Sequence, residues 1–277
     1  MTDPTSANLG VCSWSLQSPS PGELADAIHA VGLTKVQLAL NPLRDQPHTW
    51  SKAQSVLASQ QITIVSGMFS TIGEDYSTPK SIRLTGGVVP DHTWPENWQI
   101  VQDVATIATD LGLSHISTHA GFLPSSVNDP NRAKLLDRLH HIADHFIKHG
   151  LVLLFETGQE RIEVLCKFLD ELGLTNVGIN FDPANMILYD MGNPIQSLAK
   201  ALPRVMQVHV KDAVRTEKPG QWGTEVPLGQ GDVDWRSLVN VLTKGQFQGP
   251  LIIERESGDD RIGDICKATT FLAATKG

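Results

Sequence analysis

The chain has 277 residues, of which 40% are hydrophobic and 19% charged, with a net charge of −8 and a pI near 5.6. This length and hydrophobic content suit one large α/β barrel or two ordinary domains. The acidic net charge and the lack of any run of Lys or Arg argue against general electrostatic binding of nucleic acid. No apolar stretch is long enough to span a bilayer.

Targeting and cysteine patterns favour the cytoplasm. Residues 1–8 lack a basic region followed by an apolar one, so no secretion signal is predicted. The three cysteines are far apart and form no Cys-x-x-Cys pair, which argues against a thiolate zinc site or a disulfide framework. We therefore expect a protein of the reducing cytoplasm.

Eight apolar runs bounded by turn signals predict buried parallel strands. In chain order they are Leu9–Ser13, Lys35–Leu40, Ile62–Met68, His115–His119, Leu151–Glu156, Val177–Asp182, Val205–His209 and Leu251–Glu254. Segments with helical periodicity follow each strand. The first seven of these helices begin at or near Pro21, Ala53, Pro95, Pro130, Ile162, Pro194 and Asp234, and the last ends near Ala274. Eight strands alternating with helices, with no internal linker, predict a (β/α)8 TIM barrel over residues 1–277 as a single domain. A doubly wound sheet is the alternative, and it explains eight evenly spaced units less well.

The connection after the third strand, residues 69–93, is long for an α/β protein. A connection of this length is usually a functional lid or a decoration, and Pro79 predicts a short extra helix inside it. Its polar residues Glu74, Asp75 and Tyr76 are able to reach a ligand, as is Lys80.

Ionisable residues close four consecutive strands in the second half of the chain. They are Glu156, Asp182, His209 and Glu254. Such a group at the end of a buried strand is costly without a partner, and the C-terminal strand ends of a barrel share one face. The four side chains can therefore meet in one pocket, where the simplest partner for three carboxylates and an imidazole is a divalent cation. The alternative is that they are caps or ion-paired groups of the rim.

These residues lie in motifs that resemble a known family. The matching segments are Phe155–Gly158, Phe181–Asn185, Val208–Asp212, Pro227–Asp232 and Ile253–Glu254. Nearly the whole chain, in element order, resembles the xylose isomerase-like barrels grouped as sugar phosphate isomerases/epimerases. That group includes ketose 3-epimerases, inosose-processing enzymes and, more remotely, endonuclease IV. The motifs together are fairly specific for the superfamily and poorly specific for a substrate.

The resemblance implies that Glu156, Asp182, His209 and Glu254 bind one divalent metal ion and that the two glutamates act as acid and base. Such mostly hard ligands suit Mn²⁺, Mg²⁺ or Co²⁺, with Zn²⁺ as a further candidate. A metal ion held by four protein ligands has coordination positions left open for a sugar carbonyl and its neighbouring hydroxyl. It therefore acts as a Lewis acid and as a template for the substrate. It stabilises the enediolate that forms when a proton leaves the adjacent carbon, with one glutamate as base and the other as acid.

Two positions depart from the ketose 3-epimerases. Asn185 stands where those enzymes typically have a histidine, and Ile162 where they usually have a glutamate. Both positions help to bind substrate hydroxyls in those enzymes, so Asn185 is still a candidate substrate ligand. The arginine that those enzymes have six residues after the metal-binding histidine is present here as Arg215. It either holds a sugar oxygen or a phosphate or is an exposed loop arginine. The sequence also lacks histidines that the trinuclear zinc site of endonuclease IV requires.

Three further side chains are candidate substrate ligands. His119 ends the fourth strand at the same rim and is expected to contact either substrate or a neighbouring loop. Lys211 alternates with His209 along its strand and is either a substrate ligand or part of a rim salt bridge. Trp14 follows the first strand and is either an apolar wall for a sugar ring or a packing residue.

Two other patterns favour structural roles. His141, His145 and His149 recur every four residues, a spacing that suits a metal, but their helix belongs to the outer ring and we interpret them as a solvated face. In segment 229–234, the glycines are able to donate backbone N–H groups to a phosphate. A tight turn into a helix capped by an aspartate is the preferred interpretation.

The sequence thus predicts a divalent-metal-dependent isomerase or epimerase of a small sugar or sugar phosphate. An inosose dehydratase or isomerase is the main alternative, because the same metal stabilises an enediolate that then expels a β-hydroxyl. An endonuclease-like hydrolase and a catalytically idle carbohydrate sensor are further alternatives. The resemblance is compatible with a homo-oligomer, although no feature of the sequence identifies an interface.

Overall fold

The computed structural model describes residues 8–218 and 220–275. The strands are, in chain order, β1 Leu9–Cys12, β2 Lys35–Ala39, β3 Thr63–Met68, β4 His115–Thr118, β5 Val152–Glu156, β6 Val177–Phe181, β7 Val205–Val210, β8 Asp212–Val214, β9 Thr224–Val226 and β10 Leu251–Ile253. Eight of them close into a barrel in the order β1-β10-β7-β6-β5-β4-β3-β2, while β8 and β9 form a separate antiparallel hairpin. The predicted TIM barrel is confirmed.

Closure of the barrel excludes the doubly wound alternative. Strand β1 pairs in parallel with β10, which places Leu9 opposite Leu251. Strand β10 pairs in parallel with β7, which places Ile252 opposite His209. The last strand therefore lies between the first and the seventh, and the strands form a cylinder. In a cylinder of parallel strands, the C-terminal ends all lie on one face.

Helices surround the cylinder. They are α1 Pro21–Ala30, α2 Asn41–Asp45, α3 Pro47–Trp50, α4 Ala53–Ser59, α5 Pro79–Thr85, α6 Trp94–Asp110, α7 Pro130–Lys148, α8 Ile162–Leu172, α9 Pro183–Leu188, α10 Pro194–Ala201, α11 Trp235–Lys244 and α12 Arg261–Ala274. The eight helices predicted from periodicity and the short helix at Pro79 are all present. Among the described helices, none combines the length and the apolar character that spanning a bilayer requires.

Local sequence signals set the helix ends, and apolar packing joins the helices to the strands. In α5, Pro79 occupies the first turn, and the side chains of Thr78 and Ser81 form a reciprocal capping box. Helix α8 ends at Gly173, whose φ of +64° is available to glycine at little cost. Apolar helix faces then bury side chains such as Phe146 and Phe168 against the barrel. This packing fixes the strands and thereby the side chains at their ends.

One buried arginine holds the long connection between β3 and α6 on the barrel. Arg138 of α7 donates through Nη1 to Val88 O and Val89 O, at 2.8 Å each. Its Nη2 donates to Asp91 Oδ1 at 2.5 Å. The guanidinium also lies over the ring of Trp94, 4.9 Å from the centroid. Removing this side chain would leave two carbonyl groups without their donor.

Arg138→Ala is expected to lower the free energy of unfolding by about 2–3 kcal/mol, because each buried acceptor left unsatisfied costs about 1–3 kcal/mol. Denaturant titration measures the change. Arg44→Ala is the matched control, since Arg44 pairs with the partly exposed carboxylates of Asp45 and Asp103. That control is expected to cost less than about 1 kcal/mol. Equal losses in the two variants would contradict the anchoring role of Arg138.

Candidate functional site

Four strands bring the predicted metal ligands to one place. Glu156 is the last residue of β5 and His209 lies in β7, whereas Asp182 and Glu254 directly follow β6 and β10. Ligand atoms of all four residues lie within 4.8 Å of one another. Each of the four residues is at most 4% exposed. The cluster therefore lies inside the barrel at the C-terminal ends of its strands.

Three buried atoms of this cluster have no hydrogen-bond partner among the described residues. They are Asp182 Oδ2, His209 Nδ1 and Glu254 Oε2. His209 Nδ1 lies 3.4 Å from Glu156 Oε1, 3.7 Å from Asp182 Oδ2 and 3.3 Å from Glu254 Oε2. Buried polar atoms are rarely left unpaired, because they have given up their hydration. Their convergence, with carboxylate oxygens and one imidazole nitrogen as donors, fits a divalent cation.

The charges of the cluster shift the protonation of its members. Burial raises the pKa of Asp182 to about 7, although the His209 imidazole acts to lower it. Burial acts against the ionised form of Glu254, but Lys211 and His209 outweigh it and hold the pKa of this carboxyl well below its usual range. The carboxylates of Glu156 and Glu254 outweigh burial at His209 and raise its pKa well above its usual value. Lys211 and His209 therefore stabilise the ionised carboxylates of the cluster.

A hydrogen-bond chain behind His209 orients its ring. His209 Nε2 lies 2.7 Å from Gln37 Oε1, and Gln37 Nε2 donates to Ser117 Oγ at 2.7 Å. Asn180 Nδ2 also lies 3.0 Å from His209 Nε2. A proton on Nε2 would be donated to Gln37 Oε1 and would leave Nδ1 facing the carboxylates. Outer partners of this kind fix the orientation and tautomer of metal-binding histidines.

A second chain inside the barrel ends on Glu156. Ser66 Oγ donates to Gln207 Oε1 at 2.6 Å, and Gln207 Nε2 donates to Asn180 Oδ1 at 3.2 Å. Asn180 Nδ2 in turn donates to Glu156 Oε2 at 3.1 Å. The barrel interior below the cluster is therefore polar, and its amides have fixed orientations.

Two of the predicted substrate ligands contact the Glu254 carboxylate. Trp14 Nε1 donates to Glu254 Oε1 at 2.8 Å. Lys211 Nζ lies 3.0 Å from Glu254 Oε2 and 2.5 Å from Glu256 Oε2. Burial disfavours the Lys211 cation, but Glu254 and Glu256 outweigh it and raise its pKa well above its usual value. Lys211 therefore faces Glu254 as a buried cation.

Two other predicted substrate ligands contact the Glu156 carboxylate. Asn185 Nδ2 donates to Glu156 Oε1 at 2.9 Å, and His119 Nε2 lies 3.5 Å from the same oxygen. Burial acts to raise the pKa of Glu156, but His119 and His209 together lower it. His119 Nδ1 is buried without a hydrogen-bond partner among the described residues, so this nitrogen is available to a ligand.

A cavity of about 750 Å³ adjoins the cluster. Its lining includes Glu254 and four of the predicted substrate ligands, Trp14, His119, Asn185 and Lys211. Tyr76, Tyr189 and Trp222 also line it, and the rings of Tyr189 and Trp222 lie 4.8 Å apart. Trp222 Nε1 donates to Tyr76 O at 3.1 Å, which joins the hairpin loop to the connection after β3. Aromatic walls with a few convergent polar groups are typical of small-molecule sites.

Arg215 does not line this cavity. Its guanidinium pairs with Asp190 and donates through Nη2 to Gly192 O at 3.2 Å. A role in substrate binding stays a prediction for this residue.

The glycine-rich turn after β9 already has an anionic partner. The carboxylate of Asp212 accepts from Gly229 N at 2.8 Å, from Gly231 N at 3.2 Å and from Trp235 Nε1 at 3.1 Å. These donors are therefore engaged within the chain, as the tight-turn interpretation requires. Asp234 caps the helix that follows.

The three histidines of α7 are exposed or partly exposed, as their place on the outer ring of helices suggested, and two of them also pack on an aromatic ring. The ring of His141 lies 4.1 Å and that of His145 5.3 Å from the ring of Trp98 on α6. His149 lies 4.8 Å from His145. Trp98 supplies an aromatic surface at the junction of the two helices, and the imidazoles pack on it.

The described residues contain one candidate metal centre. Every group of side chains able to hold a metal includes His209 and Glu254. One such group adds Cys12, whose Sγ lies 3.8 Å from His209 Nε2. Burial raises the pKa of this thiol far above neutrality, so the thiolate that a soft metal prefers does not form. A single centre with oxygen-rich ligands is unlike a trinuclear zinc site.

The fold and this cluster define a (β/α)8 barrel protein with a candidate divalent-metal centre at the C-terminal ends of its strands. The chain belongs to the xylose isomerase-like TIM barrel family, whose sequence profile matches residues 25–274. It is similar in structure to a xylose isomerase domain protein from Planctomyces limnophilus, with a TM-score of 0.85, 30% identity and 91% of each chain covered.

Two named relatives are enzymes of different reaction types. L-ribulose-5-phosphate 3-epimerase UlaE of Salmonella paratyphi C (strain RKS4594) is 26% identical over 203 residues, which cover 69% of this chain and 68% of that protein. Inosose dehydratase 1 of Bacillus cereus (strain ZK / E33L) is 26% identical over 139 residues, which cover 44% of this chain and 46% of that protein. The chain thus spans less than half the length of the dehydratase.

Proposed function

We propose that this protein is a divalent-metal-dependent isomerase or epimerase of a small sugar or sugar phosphate. The proposal is carried by buried atoms of Asp182, His209 and Glu254 that have no hydrogen-bond partner among the described residues and converge beside Glu156. Of these atoms, Glu254 Oε2 also faces the Lys211 ammonium, whose Nζ lies 3.0 Å away. Membership of the xylose isomerase-like family and similarity to a sugar phosphate epimerase support it.

Glu156, Asp182, His209 and Glu254 would hold the cation. When bound, the cation supplies Lewis-acid stabilisation of negative charge that develops on the oxygens of a ketose. Mn²⁺, Mg²⁺ and Co²⁺ suit the three carboxylates, and Zn²⁺ is a further candidate. The imidazole of His209 is kept in one orientation by Gln37 behind it.

The two glutamates are assigned the proton transfers. Epimerisation removes a proton from one face of the carbon beside the carbonyl and returns a proton to the other face. Glu156 ends β5 and Glu254 follows β10, and these strands are separated in the barrel by β6 and β7. Glu254 lines the cavity, whereas Glu156 lies behind the lining residues His119 and Asn185, so the two carboxylates face the cluster from different sides. One takes the proton from carbon and the other delivers a proton to the opposite face, with the roles exchanged in the reverse reaction.

The remaining cavity residues are assigned to substrate binding and orientation. His119 Nδ1 offers a free polar atom, and the amide of Asn185 and the ammonium of Lys211 lie against the two carboxylates. Trp14 and Tyr189 add apolar walls against which a sugar ring can pack.

Solvent-proton exchange tests the proposal. The protein is loaded with Mn²⁺, Mg²⁺ or Co²⁺ and incubated in heavy water with a panel of ketoses and ketose phosphates, and deuterium beside the carbonyl is followed by NMR. We expect metal-dependent exchange at one carbon of at least one sugar. Sugar binding without exchange, independent of metal, would instead identify a carbohydrate sensor.

Inosose dehydration is the second candidate function, and Lys211 is the observation that favours it. Expulsion of a hydroxyl group develops negative charge on the departing oxygen, and the Lys211 ammonium, kept charged by Glu254 and Glu256, lies in the cavity where it would stabilise that charge. The proton that leaves carbon and the departing hydroxyl together form water. A product lighter than the cyclitol ketone by one water molecule would favour the dehydratase, whereas a product of unchanged mass would favour the epimerase.

Trp14→Phe is expected to lower kcat about ten-fold while one metal ion per chain is retained. The variant keeps an aromatic wall but removes the 2.8 Å hydrogen bond that orients Glu254, and loss of such an outer contact typically costs about 10–100-fold. Steady-state kinetics and metal analysis measure both quantities. Trp98→Phe, which alters a ring packed between α6 and α7, is the control. A similar loss of kcat in both variants would refute the orienting role.

A further inference from the structure

A second cavity, of about 520 Å³, lies beside the first and is lined by the segments that follow β4 and β5. Phe122 lines the second cavity and Tyr189 the first, and their rings lie 5.7 Å apart. The two linings therefore meet at this ring pair. The four candidate metal ligands are not part of the second lining, so its chemistry is independent of the metal centre.

Two arginines of this cavity form no salt bridge among the described residues. Arg83 of α5 lies with its Cζ atom 5.0 Å from the ring centroid of Phe122. Arg161 is the residue immediately before α8. Within residues 8–218 and 220–275, neither guanidinium takes part in a salt bridge. Two exposed guanidinium groups at one cavity give it a positive rim that is suited to phosphate or carboxylate.

The N-terminal end of α8 adds to this positive charge. Its N-cap residue, Arg161, provides no side-chain acceptor for the first N–H groups of the helix. The helix dipole therefore leaves partial positive charge at this end. Glu163 in the first turn pairs with Lys200 at 2.6 Å. Its carboxylate also interacts with its own backbone N–H and with Arg161, and so offsets part of this positive charge.

An unpartnered buried amide provides an independent sign of a ligand. Gln159 lines the cavity and is 2% exposed, yet its Nε2 has no hydrogen-bond partner among the described residues. Burial raises the pKa of Tyr189, and Gln159 only partly offsets this effect. The amide thus lies near the Tyr189 hydroxyl without making a hydrogen bond of normal geometry to it. Buried amides usually donate a hydrogen bond, and an acceptor in the cavity would complete one here.

The acidic groups of the cavity do not cancel its positive charge. Asp129 Oδ1 accepts from Asn131 N at 2.8 Å and caps α7. Burial raises the pKa of Glu160 to about 8, so this carboxyl is mostly protonated at neutral pH. One engaged carboxylate therefore faces two guanidinium groups and a helix N-terminus.

We propose that this second cavity binds the anionic group, a phosphate or a carboxylate, of a small molecule, through Arg83, Arg161 and the side-chain amide of Gln159. The group belongs either to the distal end of the sugar substrate or to a separate ligand. In both cases, the site recognises negative charge beside the reaction cavity.

Sulfate binding to the Mg²⁺-loaded full-length protein, measured by titration calorimetry, tests the site. Sulfate is the probe because phosphate would also compete for the metal ion. The wild type is expected to bind one sulfate per chain. The double variant Arg83→Ala/Arg161→Ala should bind it at least about ten-fold more weakly, and Gln159→Leu should bind it several-fold more weakly. Lys244→Ala removes an exposed positive charge at the C-terminal end of α11, outside the second cavity. This variant should leave sulfate binding unchanged.

Three results would overturn the proposal. They are the absence of saturable sulfate binding in the wild type, undiminished binding in the arginine double variant, and binding that disappears in Asp182→Asn but survives in the arginine variant. The last result would place the sulfate at the metal centre. Thermal melts check that each variant folds, and Gln159→Leu provides the test if the double variant does not. Because the Asp182→Asn protein should still bind sulfate, the anion site can fail independently of the proposed catalysis.

A sugar probe distinguishes the two sources of the anion. L-ribulose 5-phosphate and L-ribulose are titrated into the wild type and the arginine double variant. A loss of affinity confined to the phosphate ester would assign the site to the distal group of the substrate. Weakening of sulfate alone would assign it to a separate ligand.

Discussion

Glu156→Gln and Glu254→Gln are each expected to lower deuterium exchange into a ketose by about 10²–10⁴-fold, the range that a positioned general acid or base contributes. Gln keeps the shape of Glu and accepts hydrogen bonds through one oxygen, but it neither takes nor gives a proton at neutral pH. The Asn185 contact to Glu156 and the Trp14 contact to Glu254 can persist through that oxygen. Heavy-water NMR of metal-loaded protein measures the exchange.

Loss of metal has to be separated from loss of proton transfer in these variants, because each glutamate also faces the cation site. Metal content and exchange are therefore measured on the same preparations at saturating Mn²⁺. Glu163→Gln is the matched control, since this carboxylate pairs with Lys200 and its side chain is 58% exposed. Full exchange in either Glu156→Gln or Glu254→Gln would remove that residue from the assigned chemistry.

Asp182→Asn is expected to weaken binding of the divalent cation by more than about 100-fold, because loss of an outer-shell contact alone already costs about 10–100-fold. Asp182 is completely buried, and its Oδ2 has no other partner among the described residues. Its Oδ1 accepts from Asn185 N at 2.9 Å and caps α9. Asn preserves this cap, whereas Asp182→Ala loses it at a further cost to stability of about 1 kcal/mol.

The stability of the protein reports metal binding without an activity assay. At a metal concentration of 100 times Kd, binding raises the free energy of unfolding of the wild type by about 2.7 kcal/mol. The same concentration should stabilise Asp182→Asn by much less. Asp170→Asn is the control, since Asp170 forms an exposed pair with Arg204. Equal metal stabilisation of wild type and Asp182→Asn would mean that the ion binds elsewhere.

The strand-end cluster is predictable from sequence because a parallel barrel constrains it strongly. Once eight strands are recognised, their C-terminal ends share a face regardless of the loops between them. Glu156 and Asp182 end neighbouring strands and must lie close together. The atoms that Trp14 and Lys211 contact cannot be predicted in this way, because these contacts depend on side-chain rotamers and on the neighbouring side chains. The sequence leaves two roles open for each residue, a substrate contact or a structural contact at the rim, and the structure adds their contacts to Glu254.

Short elements account for most of what sequence reasoning missed. Tyr189 follows the six-residue helix α9, and Trp222 lies between the three-residue strands β8 and β9. Such segments are shorter than the 11–18-residue windows in which periodicity is detected. The side chain of Arg215 likewise follows a strand too short to predict its direction. The prediction that Tyr76 is able to reach a ligand rests only on its polarity and its place in the long connection. In the structure, Tyr76 lines the cavity.

The polar interior of the barrel has a consequence for how relatives of this chain can diverge. Gln37, Ser66, Ser117, Asn180 and Gln207 are each at most 1% exposed and share their hydrogen bonds with one another or with the metal ligands. An apolar replacement at one position leaves a neighbouring donor or acceptor buried and unpaired. Asn180 contacts both Glu156 and His209, at 3.1 and 3.0 Å, and so joins the two hydrogen-bond chains. Substitutions at these five positions should therefore covary between relatives as one network.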